Sequence, residues 1–541
     1  GYGLGLMSCL HGTGVDVSPE ALAWARGVYQ SDNRNFVHAP IEAAADADGL
    51  TGRYGVVTAF EILEHLQDHA PLMDLARERM TDDGVFIVSV PCPELHGKEL
   101  NPYHKRNFTP DHFKLILRDA FRQVEFYHQG RDIHGDVVDR YHVHEGLPAE
   151  AEFWLAVCRR PRPRRRQPKV SIVIPLFNRF DYTLQALIAI AKNTPEEADY
   201  EVVLVDNASS DETPRALRKL SGDVVLHRNS ENLGFAKASN QGALLARGEY
   251  VVFLNNDTEV RPGWLQALVE ELDSNPAAGI VGGRLLYPDG TVQHAGVAIG
   301  RDMVPIHVHR GLPADHELVM ERRTYPIVTA ACAAVRRQEF YALGMFDEEF
   351  INGHEDIDLC LRYRAQGKEV VYRPDCMVIH HESVSEGRMA SRPHNLARTM
   401  RKWRYSLLQD DFLFCCTAAS RGNPAKALRF AIKIGPPDRS QTNWGDTYFA
   451  ESLARAMIRR GHACRIDYLN EWGREDLDID VVIHLKGLSE YHPKPYNMNI
   501  LWMLNHPSRH TAEELSRYDA VLVASTTHAD RLKDELPVPV Y

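Results

Sequence analysis

Short apolar runs alternate with longer amphipathic stretches along most of the 541-residue chain. Residues 170–178 (VSIVIPLFN) form such a run, rich in β-branched residues and stopped by Pro175, and a stretch with helical spacing follows it. Continuous apolar runs of this length predict buried strands, because strands covered by helices on both faces lack the alternation of half-exposed ones. The pattern therefore predicts an α/β protein built on parallel sheets.

Two segments interrupt this pattern and divide the chain. Residues 159–169 (RRPRPRRRQPK) are strongly basic, and proline is their only apolar residue, which predicts an extended linker. Near residues 422–446 a helical region gives way to a short strand and a Gly-Pro-Pro turn. A chain of this length is also too long for one hydrophobic core. We predict three Rossmann-like α/β units, at 1–158, 170–421 and 422–541, with the linker at 159–169.

The composition is that of an ordinary globular protein, with 44% hydrophobic and 25% charged residues. A formal net charge of −12 argues against nucleic acid as a partner. The nine cysteines show no metal-binding or CxxC spacing, which predicts reduced thiols. We find no signal segment and no membrane-spanning run, and therefore expect a cytoplasmic protein. The basic linker is compatible with contact at the anionic inner face of the cell membrane.

Polar residues follow the strands of the middle unit. Asn255, Asn256 and Asp257 follow the apolar run 250–254, and Asp206 ends an earlier run. Open α/β sheets bind ligands at the carboxyl ends of their strands. Residues two positions apart on an extended chain point the same way, and a carboxylate beside amide oxygens suits a hard divalent cation and hence a diphosphate. Taken alone, the triplet is better explained as a turn, where Asn and Asp are common.

A family resemblance adds to this interpretation. IVIPLFNR, VVLVDNASSDET, NLGFAKASNQG and FLNNDTEV, in this order, together with the segments 280–296 and 350–383, resemble the inverting family 2 glycosyltransferases with the GT-A fold over roughly residues 168–390. The resemblance implies a nucleotide-sugar donor, with Asp206 at the pyrimidine edge. The donor-binding residues that it implies are Pro175, Phe177, Asn178, Asp206, Asn232, Gly234, Asn240, Asn255 and Asn256.

The same resemblance implies a metal site and a catalytic base. Mg²⁺ or Mn²⁺ would be bound by Asp257 and His380, with His381 as the alternative histidine. The acids of GHEDIDLCLRY (353–363) are explained structurally by the preference for negative charge in the first turn of a helix. The resemblance instead implies that Asp356 is the catalytic base, with Glu355 beside it.

The first segment resembles class I S-adenosylmethionine-dependent methyltransferases, through its glycines, GTGVDV, FEILEHL and NPYHKRNFT. The chain begins inside the glycine loop, so we expect a sheet without its first strand, and a degenerate structural module is the alternative. The resemblance implies S-adenosylmethionine as the cofactor of this unit and Glu64 and His65 near the methyl-transfer site. The S-adenosylmethionine-binding residues that it implies are Gly1, Gly3, Asp16 and Glu61.

The last segment, 422–541, resembles the N-terminal half of a GT-B glycosyltransferase. The resemblance implies that Gly445 faces a donor diphosphate and that His506 faces the cleft. Because the chain stops at Tyr541, before the second half would begin, we expect a packed half-domain.

Together these features predict a metal-dependent inverting glycosyltransferase within a multidomain polypeptide. The expected donor is dTDP-rhamnose or a UDP-sugar, and the expected acceptor is a hydroxyl of a glycan or lipid-linked glycan in bacterial surface-polysaccharide (O-antigen) assembly. Two alternatives stay open. The chain is a methyltransferase whose middle unit only binds glycan, or it is a non-catalytic scaffold. The sequence leaves the oligomeric state open.

Overall fold

The computed structural model of the chain describes residues 10–93, 101–130, 143–148, 151–299, 305–381, 391–403, 428–441, 444–459, 462–477, 479–495, 497–504 and 510–541. Gly1, Gly3 and His506 lie outside the described residues. Within those ranges, no helix combines the length and apolar character needed to cross a bilayer.

The N-terminal unit is an α/β unit with a divided sheet. Its strands are β1 (Gly12–Asp16), β2 (Arg34–His38), β3 (Tyr54–Phe60), β4 (Met80–Pro91), β5 (Phe121–Gly130), β6 (His144–Glu145) and β7 (Ala151–Pro161). Its helices are α1 (Pro19–Tyr29), α2 (Ala70–Arg79) and α3 (Pro110–Ala120), with 3₁₀ turns at Ile41–Asp46 and Leu63–His65. As the sequence predicts, Ser18 caps α1: its hydroxyl accepts a hydrogen bond from the Ala21 N–H (3.1 Å), and Pro19 is the first helical residue.

Strand pairing in this unit differs from the parallel sheet that the pattern predicts. β1 and β2 form a separate two-stranded parallel sheet, and the other strands follow the order β3-β4-β7-β5-β6. β7 runs antiparallel to both β4 and β5, so the larger sheet is mixed. Apolar runs identify buried strands but carry no information on strand direction, which explains the difference.

The middle unit contains the largest sheet. Its strands are β8 (Val170–Leu176), β9 (Tyr200–Asp206), β10 (Val224–Arg228), β11 (Tyr250–Leu254), β12 (Thr258–Val260), β13 (Ala278–Leu286), β14 (Val292–His294), β15 (Val297–Ile299), β16 (Pro305–His307), β17 (Arg323–Thr324), β18 (Cys332–Arg336) and β19 (Glu369–His380). Its helices are α4 (Phe180–Asn193), α5 (Thr213–Leu217), α6 (Gly234–Leu245), α7 (Trp264–Ser274), α8 (Arg337–Ala342), α9 (Glu355–Ala365) and α10 (Arg392–Trp403), with a 3₁₀ turn at Glu317–Val319.

This sheet is also mixed, with its parallel strands grouped on one side. The order is β10-β9-β8-β11-β18-β13-β19-β12, with β14 beside β13 and β17 beside β19. β8, β9, β10 and β11 are mutually parallel, whereas β18 is antiparallel to both β11 and β13. β8 and β11 are buried at every position, as strands covered on both faces should be. The carboxyl ends of the four parallel strands therefore meet at one edge.

Pro175 does not end the first strand of this unit, contrary to the sequence prediction. β8 continues to Leu176, and Pro175 pairs with Val205 of β9. The ladder between β8 and β11 stops at Val173, so the proline, which has no N–H to donate, lies beyond that ladder.

The C-terminal unit has a wholly parallel five-stranded sheet in the order β21-β20-β22-β23-β24. Its strands are β20 (Arg429–Lys433), β21 (Ala463–Asp467), β22 (Val481–Leu485), β23 (Met498–Met503) and β24 (Ala520–Val523). Its helices are α11 (Gly445–Arg459), α12 (Ala512–Leu515) and α13 (Thr526–Glu535), with a 3₁₀ turn at Leu469–Glu471. This order fits the predicted α/β unit, and its assignment as half of a GT-B enzyme stays a prediction.

The basic segment 159–169 contacts both units that it joins. β7 runs into it as far as Pro161, and the rest is extended. Arg164 pairs with Glu78 of the N-terminal unit (2.9 Å), and Arg165 bridges Asp119 (3.0 Å) and Glu201 of the middle unit (3.4 Å). The arginines thus serve as ion-pair partners for acids on two units, a role that the composition of the segment does not reveal.

Candidate active site

The chain turns sharply where the central strand β11 ends. The Asn255 N–H donates to the Ala331 carbonyl (3.0 Å), which fixes the first residue after β11 against the start of β18. The Asp257 carbonyl accepts from the His381 N–H (3.0 Å), and the next residue, Thr258, pairs with His380 at the end of β19. The polar triplet therefore lies between the ends of three strands, which brings Asp257 and His380 together.

His380 and Asp257 face one another in a largely buried position. Nε2 of His380 lies 3.2 Å from Oδ1 of Asp257, with side-chain exposures of 6% and 14%. Nε2 of His380 also lies 3.2 Å from Nδ2 of Asn255. The neighbouring His381 is engaged elsewhere, since its Nε2 lies 2.9 Å from Oε1 of Glu259.

Gln293 orients the His380 ring. Its Nε2 donates to the His380 carbonyl (3.3 Å), which leaves its Oε1 to accept from Nδ1 of His380 (2.6 Å). With the proton on Nδ1, a neutral His380 presents a lone pair on Nε2 toward Asp257. A carboxylate and an imidazole lone pair at this separation are a suitable donor set for a divalent cation. The residues fit the expected Mn²⁺, and they fit Mg²⁺ less well because Mg²⁺ prefers oxygen ligands.

Asp356 approaches the same region from the start of α9. Its Oδ1 accepts from the Ile357 N–H (2.9 Å), and its Oδ2 accepts from the Ala330 N–H (3.3 Å). Ala330 is next to Ala331, whose carbonyl accepts from Asn255. The dipeptide Ala330-Ala331 therefore contacts both the turn after β11 and the half-buried carboxylate of Asp356.

The other acids of the α9 motif have structural partners. Oε2 of buried Glu355 accepts from the Gly353 N–H (2.7 Å). The fully buried Asp358 pairs with Arg362 (2.8 Å) and Lys402 (2.6 Å). Of the three acids, Asp356 is the most accessible to a ligand.

The residues predicted to bind the donor base lie at the ends of β8 and β9. Oδ1 of buried Asp206 accepts from the Ser209 N–H (2.8 Å), and its other oxygen contacts Arg228. Asn178 has a left-handed backbone conformation (φ 55°), and its N–H donates to the Ser209 hydroxyl (2.7 Å). Phe177 beside it is exposed. The structure thus brings Asp206, Asn178 and Phe177 to one edge.

The remaining predicted donor residues have different positions. Asn232 accepts from the Gly234 N–H (3.0 Å) at the start of α6, and Nδ2 of Asn256 donates to the Thr183 hydroxyl (3.0 Å). Asn240 is buried away from the solvent, where its side chain donates to Glu348 (3.0 Å) and exchanges hydrogen bonds with the backbone of Phe346. The structure does not bring Asn240 to the edge that Asp257 occupies.

The N-terminal unit has polar residues at the carboxyl ends of β1 and β3. Asp16 accepts from the Ser18 N–H (2.9 Å), and Oε1 of Glu61 accepts from the Ser89 hydroxyl (2.6 Å). Glu64 is almost completely buried, and burial raises the pKa of its carboxyl to about 8.

Gln293, His294 and the segment 329–331 lie near the site but were not predicted from the sequence. His294 is buried beside His307, with 3.0 Å between their Nδ1 atoms, and burial lowers its pKa well below the ordinary value. Gln293 and His294 lie within the segment 280–296, which is part of the family resemblance, so the sequence did point to this segment. Their partners are remote in sequence, and spacing alone could not assign them a role.

The middle unit is an α/β unit that carries a carboxylate–imidazole pair at the carboxyl ends of its strands, the edge at which enzymes with open α/β sheets bind ligands. Residues 171–344 match the model of the family described as Glycosyl transferase family 2, and residues 5–125 match that described as Methyltransferase domain.

Two relatives and one solved structure illustrate the similarity. N-acetylglucosaminyl-diphospho-decaprenol L-rhamnosyltransferase of Mycobacterium tuberculosis is 30% identical over 220 residues, 36% of this chain and 70% of that protein. O-antigen biosynthesis protein RfbC of Myxococcus xanthus is 38% identical over 231 residues, 41% of this chain but 18% of that protein. GalNAc-T7, solved with UDP, GalNAc and Mn²⁺, aligns at 19% identity and a TM-score of 0.37, over 48% of this chain and 52% of that one. The chain belongs to glycosyl transferase family 2.

Proposed function

We propose that the middle unit is an inverting glycosyltransferase that moves a sugar from a nucleotide-diphosphate donor to a hydroxyl of a glycan acceptor. The observation that carries this proposal is the 3.2 Å approach of His380 to Asp257, with Asp356 bonded to the dipeptide that also fixes Asn255. Family membership supports the reaction class, and the relatives named for rhamnosyl transfer and O-antigen biosynthesis support polysaccharide assembly.

The donor diphosphate would lie beside Asp257 and His380. These two residues would hold a Mg²⁺ or Mn²⁺ ion, which when bound offsets the negative charge that develops on the leaving diphosphate. Gln293 would keep the lone pair of His380 Nε2 directed at the site. The nucleoside would extend toward Asp206 and Phe177, and the donors that we favour are dTDP-rhamnose and a UDP-sugar.

Asp356 would act as the general base. It would accept the proton of the acceptor hydroxyl while that oxygen bonds to the anomeric carbon and the bond from that carbon to the diphosphate breaks. A single displacement of this kind inverts the anomeric centre. The acceptor that we favour is a glycan or lipid-linked glycan, which would place the protein at the inner face of the cell membrane.

A sugar-transfer assay tests the proposal. Release of UDP or dTDP from each candidate donor is measured with added Mn²⁺ and a lipid-linked glycan acceptor, for the parent chain, Asp257→Asn and the control Asp375→Asn. Asp375 lies on the same strand as His380, but its side chain is 70% exposed and pairs with Arg373. We expect release in the parent and the control and its loss in Asp257→Asn. Equal release from all three proteins would contradict the proposal.

The match of residues 5–125 to a methyltransferase domain favours a second activity, methyl transfer from S-adenosylmethionine. Asp16 and Glu61, at the carboxyl ends of β1 and β3, would bind the cofactor. Isothermal titration with S-adenosylmethionine tests this proposal, with Asp16→Ala as the variant expected to lose binding. Absence of heat in the parent would contradict it.

A further inference from the structure

A buried carboxyl group in the N-terminal unit has no hydrogen-bond partner among the described residues. Glu64 is 1% exposed, and neither of its carboxylate oxygens accepts a hydrogen bond from the part of the chain that the structure describes. The imidazole of His65 lies beside it, with Nε2 3.7 Å from Oε1. Ionising a buried carboxyl that accepts no hydrogen bonds is costly, and a bound cation would offset that cost.

Two histidines lie beside this carboxylate. Glu64, His65 and His104 each offer a ligand atom, and the three atoms lie within 4.8 Å of one another. The two rings meet edge to face, with centroids 5.0 Å apart. Glu64 and His65 follow β3, and the Glu64 carbonyl accepts hydrogen bonds from the N–H groups of Lys105 (2.8 Å) and Arg106 (3.1 Å), which attach the segment carrying His104.

The proton on His65 is in the position that metal binding requires. Nδ1 of His65 lies 3.0 Å from the Tyr103 carbonyl, which can only accept, so Nδ1 carries the proton. Nε2 of a neutral His65 therefore offers its lone pair toward Glu64. Metal-binding histidines are commonly oriented by such a hydrogen bond from the second ring nitrogen to a carbonyl.

The donor set identifies the class of ion. Two imidazoles and one carboxylate suit divalent first-row transition metals, whereas Mg²⁺ and Ca²⁺ prefer oxygen ligands only. The His65 side chain is 40% exposed, so one side of the group is open to water or another small oxygen ligand. Nε2 of His104 lies 2.9 Å from Nδ2 of Asn101, a contact that must rearrange when the ring binds an ion.

We propose that Glu64, His65 and His104 form a binding site for a divalent transition metal, separate from the site at Asp257 and His380. The two sites lie in different units of the chain, after β3 and after β11, and share no residue. The proposal does not depend on sugar transfer, because it concerns a ligand set outside the middle unit.

Metal binding to the full chain tests this proposal. The tag-free protein is treated with EDTA, dialysed and titrated with Co²⁺, and the visible ligand-field bands are followed. The parent for this experiment carries Asp257→Asn and His380→Gln, so that the other candidate site is disabled. His65→Gln and His104→Gln are then introduced separately, with His38→Gln, an exposed histidine of β2, as the control.

We expect one Co²⁺ per chain in this parent and in the His38→Gln control, and a fall in affinity of at least about tenfold in the His65→Gln and His104→Gln variants. No Co²⁺ binding by the parent, or titration curves for both ligand variants that superimpose on that of the parent, would overturn the proposal.

Glu64→Gln gives a second test that is independent of misfolding. It replaces the carboxyl, which can ionise to bind a cation, with an amide of nearly the same shape, so the metal-free variant should melt no lower than the metal-free parent, while the rise in melting temperature on adding Co²⁺ should disappear. A Co²⁺-dependent rise of equal size in Glu64→Gln and in the parent would contradict a role for this carboxylate.

Discussion

Arg337 of the middle unit and Asp68 of the N-terminal unit form a buried two-pronged ion pair. Nη1 of Arg337 lies 3.0 Å from Oδ1 of Asp68, and Nη2 lies 2.8 Å from Oδ2. The side chains are 3% and 12% exposed. Geometry of this kind is the strongest form of a carboxylate–guanidinium contact, and here it joins two units of the chain.

The first prediction concerns the stability that this pair provides. Asp68→Asn leaves the Arg337 guanidinium buried without a counter-charge, which should lower the free energy of unfolding by about 3 to 5 kcal/mol. The control is Asp82→Asn, because the pair between Asp82 and Arg53 is exposed (91% and 52%) and should contribute less than about 1 kcal/mol. Urea unfolding near neutral pH measures both. A loss in Asp68→Asn no greater than in the control would contradict the prediction.

The pH dependence of the same pair has a defined sign. Burial opposes ionisation of Asp68, but the attraction of Arg337 outweighs it, and the pKa falls from 3.8 to about 2. A carboxyl whose pKa is lowered by folding adds stability above its unfolded pKa and loses it as the pH falls through the folded value. The stability difference between the parent and Asp68→Asn should therefore be constant above about pH 5 and shrink between about pH 4 and pH 2. A difference that grew on acidification would have the wrong sign.

The second prediction distinguishes Asp356 from Asp358, two of the three acids in the first turn of α9. Asp356→Asn should lower the rate of sugar transfer by about 10²–10⁴-fold without changing the melting temperature or donor binding, because its carboxylate is only partly buried and its partners are backbone N–H groups. Asp358→Asn should instead lower the melting temperature, because Asp358 is fully buried against Arg362 and Lys402. Scanning calorimetry and the transfer assay on both variants check this. The reverse pattern would assign the base to Asp358.

The third prediction tests the positioning role of Gln293. Gln293→Leu removes the acceptor for Nδ1–H of His380 at similar volume, and the ring loses its fixed tautomer. We expect the Mn²⁺ concentration needed for half-maximal transfer to rise by about 10- to 100-fold, with full activity at saturating Mn²⁺. Gln293→Glu should retain Mn²⁺ affinity, since it still accepts the same hydrogen bond. A Gln293→Leu variant that stays inactive at any Mn²⁺ concentration would indicate a merely structural role.

Local pattern was sufficient for much of this fold. The apolar run 250–254 followed by three polar residues predicts β11 and its turn, and Ser18 with Pro19 predicts the start of α1. Both are confirmed, because they depend on neighbours in sequence. Strand direction was not predictable in the same way, and the antiparallel strands β7 and β18 make two of the sheets mixed.

The candidate site also combines features that the sequence predicts with features that depend on contacts remote in sequence. The family resemblance predicts that Asp257 and His380 lie close together. The contact of Gln293 with His380 depends on strand pairing between distant parts of the chain, which local sequence patterns do not predict. Asn240, expected near the donor, lies on the inner face of α6, where its amide bonds the loop at Phe346. A polar residue at helical spacing gives no indication of whether its partner is a ligand or a buried backbone group.

The last prediction decides between the two candidate histidines. EDTA should abolish sugar transfer, and added Mn²⁺ should restore it in the parent and in His381→Gln, because the side chain of His381 contacts Glu259 and only its backbone N–H contacts Asp257. His380→Gln should not recover at the Mn²⁺ concentration that restores the parent, because the variant lacks the imidazole that lies 3.2 Å from Asp257. The measurement is the initial rate of nucleotide release against Mn²⁺ concentration for the three proteins. Recovery of His380→Gln together with failure of His381→Gln would move the metal ligand to the second histidine, and transfer that persists in EDTA would remove the metal from the reaction.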